Sequence, residues 1–442
     1  MSLHALAVRQ LFARASTLLG GGGVALAASF VQTILVARML GPGYFGVWAS
    51  LQAFCTVVAT FLTFRTSEPV TRYLTEYAAQ TSDQGRRSPL VALLLGTAIA
   101  VDAITQSLAV IMVALLAPWV APLLPGGEAV AVLYPLLAIS LLRTVFDATW
   151  FSVARHLAQY RTIAALNAFF PVLRLMVLAI AWVLYPISLA TIVVLMMVLG
   201  ILQMFVIGWS LWQAISTGYG LGLSDLFTAR ILHDQRKLAS FWSFMKATFL
   251  GSLFSALVKE GDVLILGSLR PSEEVGWYRL AKSLAGTVQQ IGELLAQVIY
   301  QDFSEHVVAR DGALLRNTLR FLFRTWLPAV VVAILVGIAL AYFCIPILFG
   351  RSYAPTVGLF SILMVGTGCV TALFWVRPLI LALELYWYNF QVVAWGAGCF
   401  LLLDWVLIQR FCVDGAAIAL ATLTMAGPLV LLPKVLERLK RM

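Results

Sequence analysis

Arg279, Lys282, Ser283, Gly286, Gln290, Glu293 and Gln297 recur three or four residues apart in the run RLAKSLAGTVQQIGELLAQ. That spacing puts all seven on one helix face, while Leu, Ala, Ile and Val fill the others. The two cations could hold an anion. Glu293, further along the helix, suits proton exchange or the neutralising of a partner. The apolar run before it carries Ser252, Ser255, Lys259 and Asp262 on one face, with Glu260 beside them; Lys259 and Asp262 stand three apart and could pair. A third cluster lies in FRTSEPVTRYLTEY, where Arg65, Glu68, Arg72 and Glu76 alternate in sign at three- or four-residue steps. It reads either as a salt-bridged helix end or as an entry site for an anionic headgroup. The candidates for substrate binding are therefore Arg65, Arg72, Lys259, Arg279 and Lys282. Those for gating or ion coupling are Glu68, Asp262 and Glu293.

No catalytic or metal-binding pattern accompanies them. His4, His156, His233 and His306 lie far apart in connecting segments. Cys55, Cys344, Cys369, Cys399 and Cys412 sit in or beside apolar runs without metal or redox spacing, as small core residues do. No cofactor is expected.

These residues need a membrane around them. The chain is 61% hydrophobic and only 11% charged, with mean hydropathy +0.94, whereas soluble domains carry about 25% charged residues. Apolar runs of bilayer length, about 20 residues each, follow one another almost without pause. Twelve spans are predicted, at 16–38, 44–64, 89–117, 130–154, 162–184, 188–213, 241–267, 275–299, 321–345, 355–381, 387–408 and 413–433. A charged residue inside such a span is costly and is by default functional. Fourteen occur: eight basic (Arg143, Arg174, Lys246, Lys259, Arg279, Lys282, Arg324, Arg377) and six acidic (Asp102, Asp147, Glu260, Asp262, Glu293, Asp404). Arg143 and Asp147, four apart, are expected to neutralise each other, and Lys246 and Arg324 to reach the nearer membrane surface. The interior leans cationic.

Connections alternate sides, and their Lys and Arg are uneven. One set, containing both termini, holds 18 of the 30 basic residues; the other holds only Arg38, Arg270, Arg351 and Arg410. Positive charge stays on the cytoplasmic side, so both termini are expected there. The same loops account for most of the net charge of +10 and favour anionic lipid, with no nucleic-acid partner required. Ala25-Leu26-Ala27 resembles a cleavage site, yet the apolar run continues to Ala37, which favours a span over a signal peptide.

The chain also repeats. Leu40, Pro42, Gly46 and Trp48 align with Leu269, Pro271, Gly276 and Tyr278, allowing one insertion; Pro122, Leu124 and Gly126 align with Pro346, Leu348 and Gly350; Trp150 aligns with Trp375. Six spans per half is an even number, so the halves are parallel repeats related by an axis along the membrane normal. The expected organisation is a six-helix bundle at 1–213, a cytoplasmic linker at 214–240 and a second six-helix bundle at 241–442. The fold class is all-α and polytopic.

The hairpin LVARMLGPGYFGVWASLQAF, followed by FRTSEPVTRYLTEYAAQ, resembles the Wzx-type polysaccharide flippases of the multidrug/oligosaccharidyl-lipid/polysaccharide (MOP) transporter superfamily. The matching turn is Ala37, Arg38, Leu40, Gly41, Pro42, Phe45, Gly46 and Trp48, and Arg72, Tyr73 and Glu76 match a later R-Y-x-x-E-like element. The resemblance implies two six-helix bundles around a central cavity, in the bacterial inner membrane. It implies alternating access that carries undecaprenyl-diphosphate-linked oligosaccharide from the cytoplasmic to the outer leaflet. Membrane lipids, a coupling H+ or Na+ and other polysaccharide-assembly membrane proteins would be the partners. One alternative is a drug or organic-cation antiporter of the same superfamily, which would favour an acidic cavity. Another is a membrane-embedded glycan polymerase or ligase, against which the short outer connections without His argue. A purely structural membrane partner would not need the intramembrane charges.

Overall fold

With no water in a bilayer core, each backbone N–H and C=O needs an internal partner, so apolar runs of this length fold as helices. The computed structural model describes residues 3–64, 66–80, 89–184, 187–222, 224–226, 239–308, 322–383 and 385–440; within them the side chains of 3–19, 251–252, 255–256 and 291–302, among others, lie outside the description. Among the described residues every regular element is helical.

All twelve expected spans fall on helices. The first two share Leu3–Leu62, which is divided at Gly41 (φ 68°) with Pro42 behind it. The third is Pro89–Val120. The fourth is interrupted: Leu133–Ser140, a tighter turn at Leu141–Thr144, then Asp147–His156. The fifth and sixth are Tyr160–Leu184 and Leu189–Tyr219. Ser188 caps the sixth by accepting from the Thr191 N–H at 3.2 Å, and Gly220 ends it with a left-handed φ of 65°. The seventh and eighth, Ala239–Leu269 and Ser272–Val308, meet at Arg270-Pro271. The ninth is Leu327–Phe349, after a widened turn at Leu322–Trp326. The tenth is again interrupted, as Thr356–Ala372 and Val376–Ala382. The last two share Tyr386–Lys440, divided at Cys412 (φ 56°). Ser67–Gln80, read from sequence as a polar stretch, is a helix of its own.

Seven of these helical stretches are long and apolar enough to cross a bilayer. Two of them, Gly20–Tyr77 and Trp387–Arg438, contain the divisions at Gly41 and Cys412 and so hold two spans each. The seventh and eighth spans, which carry the clustered charges, are not among the seven.

By compactness the chain separates into two units. One comprises Met1–Met39, Phe54–Pro122 and Gly127–Leu253; the other comprises Leu40–Ala53, Leu123–Gly126 and Phe254–Met442. This division follows local packing, whereas the halves read from sequence follow chain topology.

The aligned repeat positions share local geometry. Trp150 and Trp375 are the two largest fully buried side chains among the described residues; Trp150 follows the interruption of the fourth span in its half, and Trp375 lies at the end of the corresponding one. Gly126 and Gly350 adopt φ of 97° and 101°, a backbone that only glycine holds without strain. Within the second unit Gly46 and Gly276 face each other: a Cβ on Gly46 would strike the Ser272 carbonyl, and one on Gly276 the Pro42 carbonyl. The contact is reciprocal at an offset of 230 residues, as a two-fold axis requires.

Candidate substrate-binding sites

Among the described residues each unit holds a concentration of polar side chains. In the first, the helix Ser67–Gln80 packs against Asp147–His156 and Pro89–Val120. Valines, leucines and aromatics, among them Val70, Leu74, Leu93 and Trp150, fill the joint. The Trp150 indole N–H donates to Ser210 Oγ at 2.9 Å. Beside this core the buried Asp102 carboxylate accepts from Thr66 Oγ1 and from Thr149 Oγ1, both at 2.8 Å. Three segments far apart in sequence are thereby pinned together, since a buried carboxylate without donors costs several kcal/mol.

Against that joint opens a cavity of about 840 Å³. Phe64, Phe151 and Phe244 supply its apolar surface, and Asp102 and Asp147 its carboxylates. Arg72 and Arg155, both exposed, border it. The Arg155 guanidinium lies 4.2 Å from the Phe151 ring centroid, and that of Arg72 lies 5.6 Å from both the Tyr73 and Phe244 centroids. Such stacking holds a guanidinium in place while leaving its N–H edges outward. Glu68 also borders the cavity, is exposed, and accepts from Ser67 Oγ at 2.9 Å. Asp147 sits in the field of Arg143, as expected, and also of Arg174 from the fifth span.

In the second unit the expected charges from the seventh and eighth spans come together as ion pairs. Arg279 Nη1 lies 2.6 Å from Glu260 Oε2. Lys282 Nζ lies 2.7 Å from both Asp262 oxygens and donates to the Lys259 carbonyl at 2.5 Å. Asp262 is completely buried; its Oδ2 also accepts from the Tyr278 hydroxyl at 2.5 Å and its Oδ1 from the Val263 N–H at 2.8 Å. The pairing of Lys259 with Asp262 suggested by their spacing is replaced: Lys282, on the facing helix, takes the carboxylate, and Lys259 is exposed. A partner across a helix–helix joint reaches both carboxylate oxygens, which an i,i+3 neighbour on the same helix does not.

Asp404 stands close enough to Asp262 and Lys282 for each to act on its charge. It is completely buried, and neither of its oxygens has a hydrogen-bond partner among the described residues. Leu401, one turn earlier, packs on Gly261, where any side chain would crowd it.

Among the other expected site residues, Arg65 and the Glu293 side chain lie outside the described residues. Sequence reasoning missed Arg155 as a cavity residue and the Thr66–Asp102–Thr149 joint. Its members stand 36 and 47 residues from Asp102, so no local spacing could have signalled it.

The fold has well-defined relatives among solved structures. It is similar to the lipid II flippase MurJ in an inward closed conformation, with a TM-score of 0.71 and 14% identity over 96% of this chain and 87% of that one. It is similar to a multidrug resistance MATE family transporter of the MOP superfamily, inward-facing, with a TM-score of 0.65 and 14% identity over 94% and 95% of the two chains. A Vibrio cholerae MATE transporter, VcmN, gives 0.57 and 14% over 98% and 97%. At this identity the likenesses show the fold, a polytopic all-helical arrangement shared with these transporters. No curated protein sequence matches the chain. The model of the polysaccharide biosynthesis protein family matches residues 12–305, two-thirds of the length, and the chain belongs to that family.

Proposed function

We propose that this multi-pass membrane protein is a flippase that carries undecaprenyl-diphosphate-linked oligosaccharide from the cytoplasmic to the outer leaflet of the bacterial inner membrane by alternating access. The observation that carries the reading is the cavity of the first unit. It joins aromatic surface and hydroxyl side chains, suited to sugars, to two exposed arginines suited to a diphosphate. Arg72 and Arg155 belong to connections assigned to the cytoplasm by their positive charge, where the precursor would be loaded. Arg65 neighbours the same helix in sequence and joins them in the proposal.

Arg279 and Lys282 enter by a different route. Glu260 and Asp262 hold them in this state, and an arriving diphosphate would compete with those carboxylates. Asp262, and with it Glu68 and Glu293, is then a gating or coupling group, and Lys259 an exposed supporting cation. A proton or Na+ would be the coupling ion, and other polysaccharide-assembly membrane proteins the partners downstream. The drug-antiporter reading draws support from the MATE folds and from the Asp102 and Asp147 carboxylates of the cavity, while the exposed Arg72 and Arg155 favour the anionic carrier.

The test is transbilayer movement of a fluorescent lipid-diphosphate oligosaccharide in proteoliposomes. Wild type should move it, and Arg72→Ala with Arg155→Ala should slow it strongly while inserting normally. Ion-coupled uptake of organic cations, with no movement of any lipid-linked glycan, would replace this reading with the antiporter.

A further inference from the structure

Six hydroxyl side chains line the cavity of the first unit, and in each the proton is already directed elsewhere. Thr63 donates to the Ala59 carbonyl, Thr71 to that of Ser67, Thr105 to that of Val101 and Thr144 to that of Leu141, all at 2.8 Å. Ser152 donates to the Ala148 and Ser67 carbonyls at 2.9 Å, and Ser67 to Glu68 Oε2 at 2.9 Å. A hydroxyl has one proton and two lone pairs. What these six turn toward the cavity is therefore acceptor.

The remaining polar groups continue the pattern. Gln106 directs its Nε2 to Thr144 Oγ1 at 3.0 Å, and its Oε1 is buried with no partner among the described residues. Asp102 and Asp147 add carboxylates. The cationic neighbours of Asp147, Arg143 and Arg174, do not line the cavity. The charged donors that do, Arg72 and Arg155, are exposed. The cavity thus has a polarity, with charged donors at its exposed border and acceptors within.

We infer that the sugars held in this cavity are uncharged hydrogen-bond donors, hydroxyl- or amide-bearing residues, and that a uronate, sulfated or phosphorylated sugar is rejected there. This deepens the flippase reading and rests on it. Sugar hydroxyls and N-acetyl N–H groups supply the protons that the hydroxyl wall lacks. A uronate carboxylate has only lone pairs to offer and finds no free proton among the six hydroxyls, Asp102 and Asp147. The diphosphate, which also lacks donors, is directed to Arg72 and Arg155, so the same polarity sets which end of the headgroup enters first.

The experiment compares two lipid-diphosphate trisaccharides of equal size, one of neutral hexoses and one with a hexuronate, in proteoliposomes of the full chain. The neutral carrier is expected to move at least about tenfold faster, as a carboxylate left without donors in a poorly hydrated site predicts. Asp147→Asn, which leaves Arg143 and Arg174 uncompensated behind the wall, should narrow that ratio. Equal or faster movement of the uronate carrier by wild type overturns the inference, and a ratio unchanged by Asp147→Asn overturns the part given to that carboxylate. If neither carrier moves, the flippase reading fails. Equilibrium binding of the same two molecules to detergent-purified protein then decides the ligand class by itself: tighter neutral binding supports it, and equal affinity overturns it.

Discussion

Replacing Lys282 by Met should destabilise the second unit by about 3–5 kcal/mol, the usual cost of stranding a buried charge. The lysine is 17% exposed and its partner Asp262 is 0% exposed, so solvent does little to screen the loss. Without the ammonium, Asp262 retains only the Tyr278 hydroxyl and the Val263 N–H, and Asp404 is left beside it as a second buried carboxylate with no cation from the cluster. Asp262→Asn is the gentler change, about 1–3 kcal/mol, because the lysine can still donate to the Lys259 carbonyl. The double variant should cost less than the sum of the two, and Asp404→Asn should rescue part of the Lys282→Met loss. Reversible unfolding in mixed micelles with increasing SDS measures each variant; wild type, the two single changes and the double variant close one cycle, and the Asp404→Asn pair belongs to a second. A Lys282→Met protein within about 1 kcal/mol of wild type would refute the argument, since a pair of this burial cannot then be what neutralises Asp262. So would a second loss on adding Asp404→Asn.

Asp102→Ala removes the shared acceptor of Thr66 and Thr149 and should cost about 1–3 kcal/mol, read in the same unfolding assay. Gly126→Ala and Gly350→Ala, at φ of 97° and 101°, should each cost about 1–3 kcal/mol of backbone strain; an equal loss at both would support the repeat. Gly276→Val drives a branched side chain into the Pro42 carbonyl and should lose at least about 1–3 kcal/mol, with Gly46→Val matching it by the reciprocal contact. Unequal effects at Gly46 and Gly276 would count against two-fold equivalence there.

The spans were legible because a bilayer imposes one length and one secondary structure on apolar sequence. The repeat read from sequence rests on turns where backbone geometry demands particular residues: Gly126 and Gly350 for their φ, Gly46 and Gly276 for close approach. The interruption of the fourth span was not legible: LLRTV holds neither Pro nor Gly, so packing rather than propensity opens that helix. That of the tenth had a signal in Pro378, which has no N–H for the Phe374 carbonyl. The Ser67–Gln80 helix was half visible: its alternating charges suggested a helix end, but its apolar residues Val70, Leu74 and Tyr77 form too short a run to register as an element by hydropathy alone.

Counting charges in the spans gave eight cations against six acids and suggested an interior ready for an anion. The paired structure redistributes that excess. Glu260 and Arg279 stand 19 residues apart, Asp262 and Lys282 20 apart, and each pair closes across two helices where sequence spacing gives no warning. With Arg279 and Lys282 held by carboxylates, and Arg143 and Arg174 set around Asp147, fewer of those cations are left to meet an anion than the count implied. The arginines that border open space are Arg72, a candidate from its sequence cluster, and Arg155, which the sequence counted only toward topology. A charged border over an acceptor-lined cavity divides the work differently from a basic pocket. On the proposed function the arginines would hold the diphosphate where water still screens it, and the interior would meet sugars without binding any charge so tightly that release on the far side becomes the slow step.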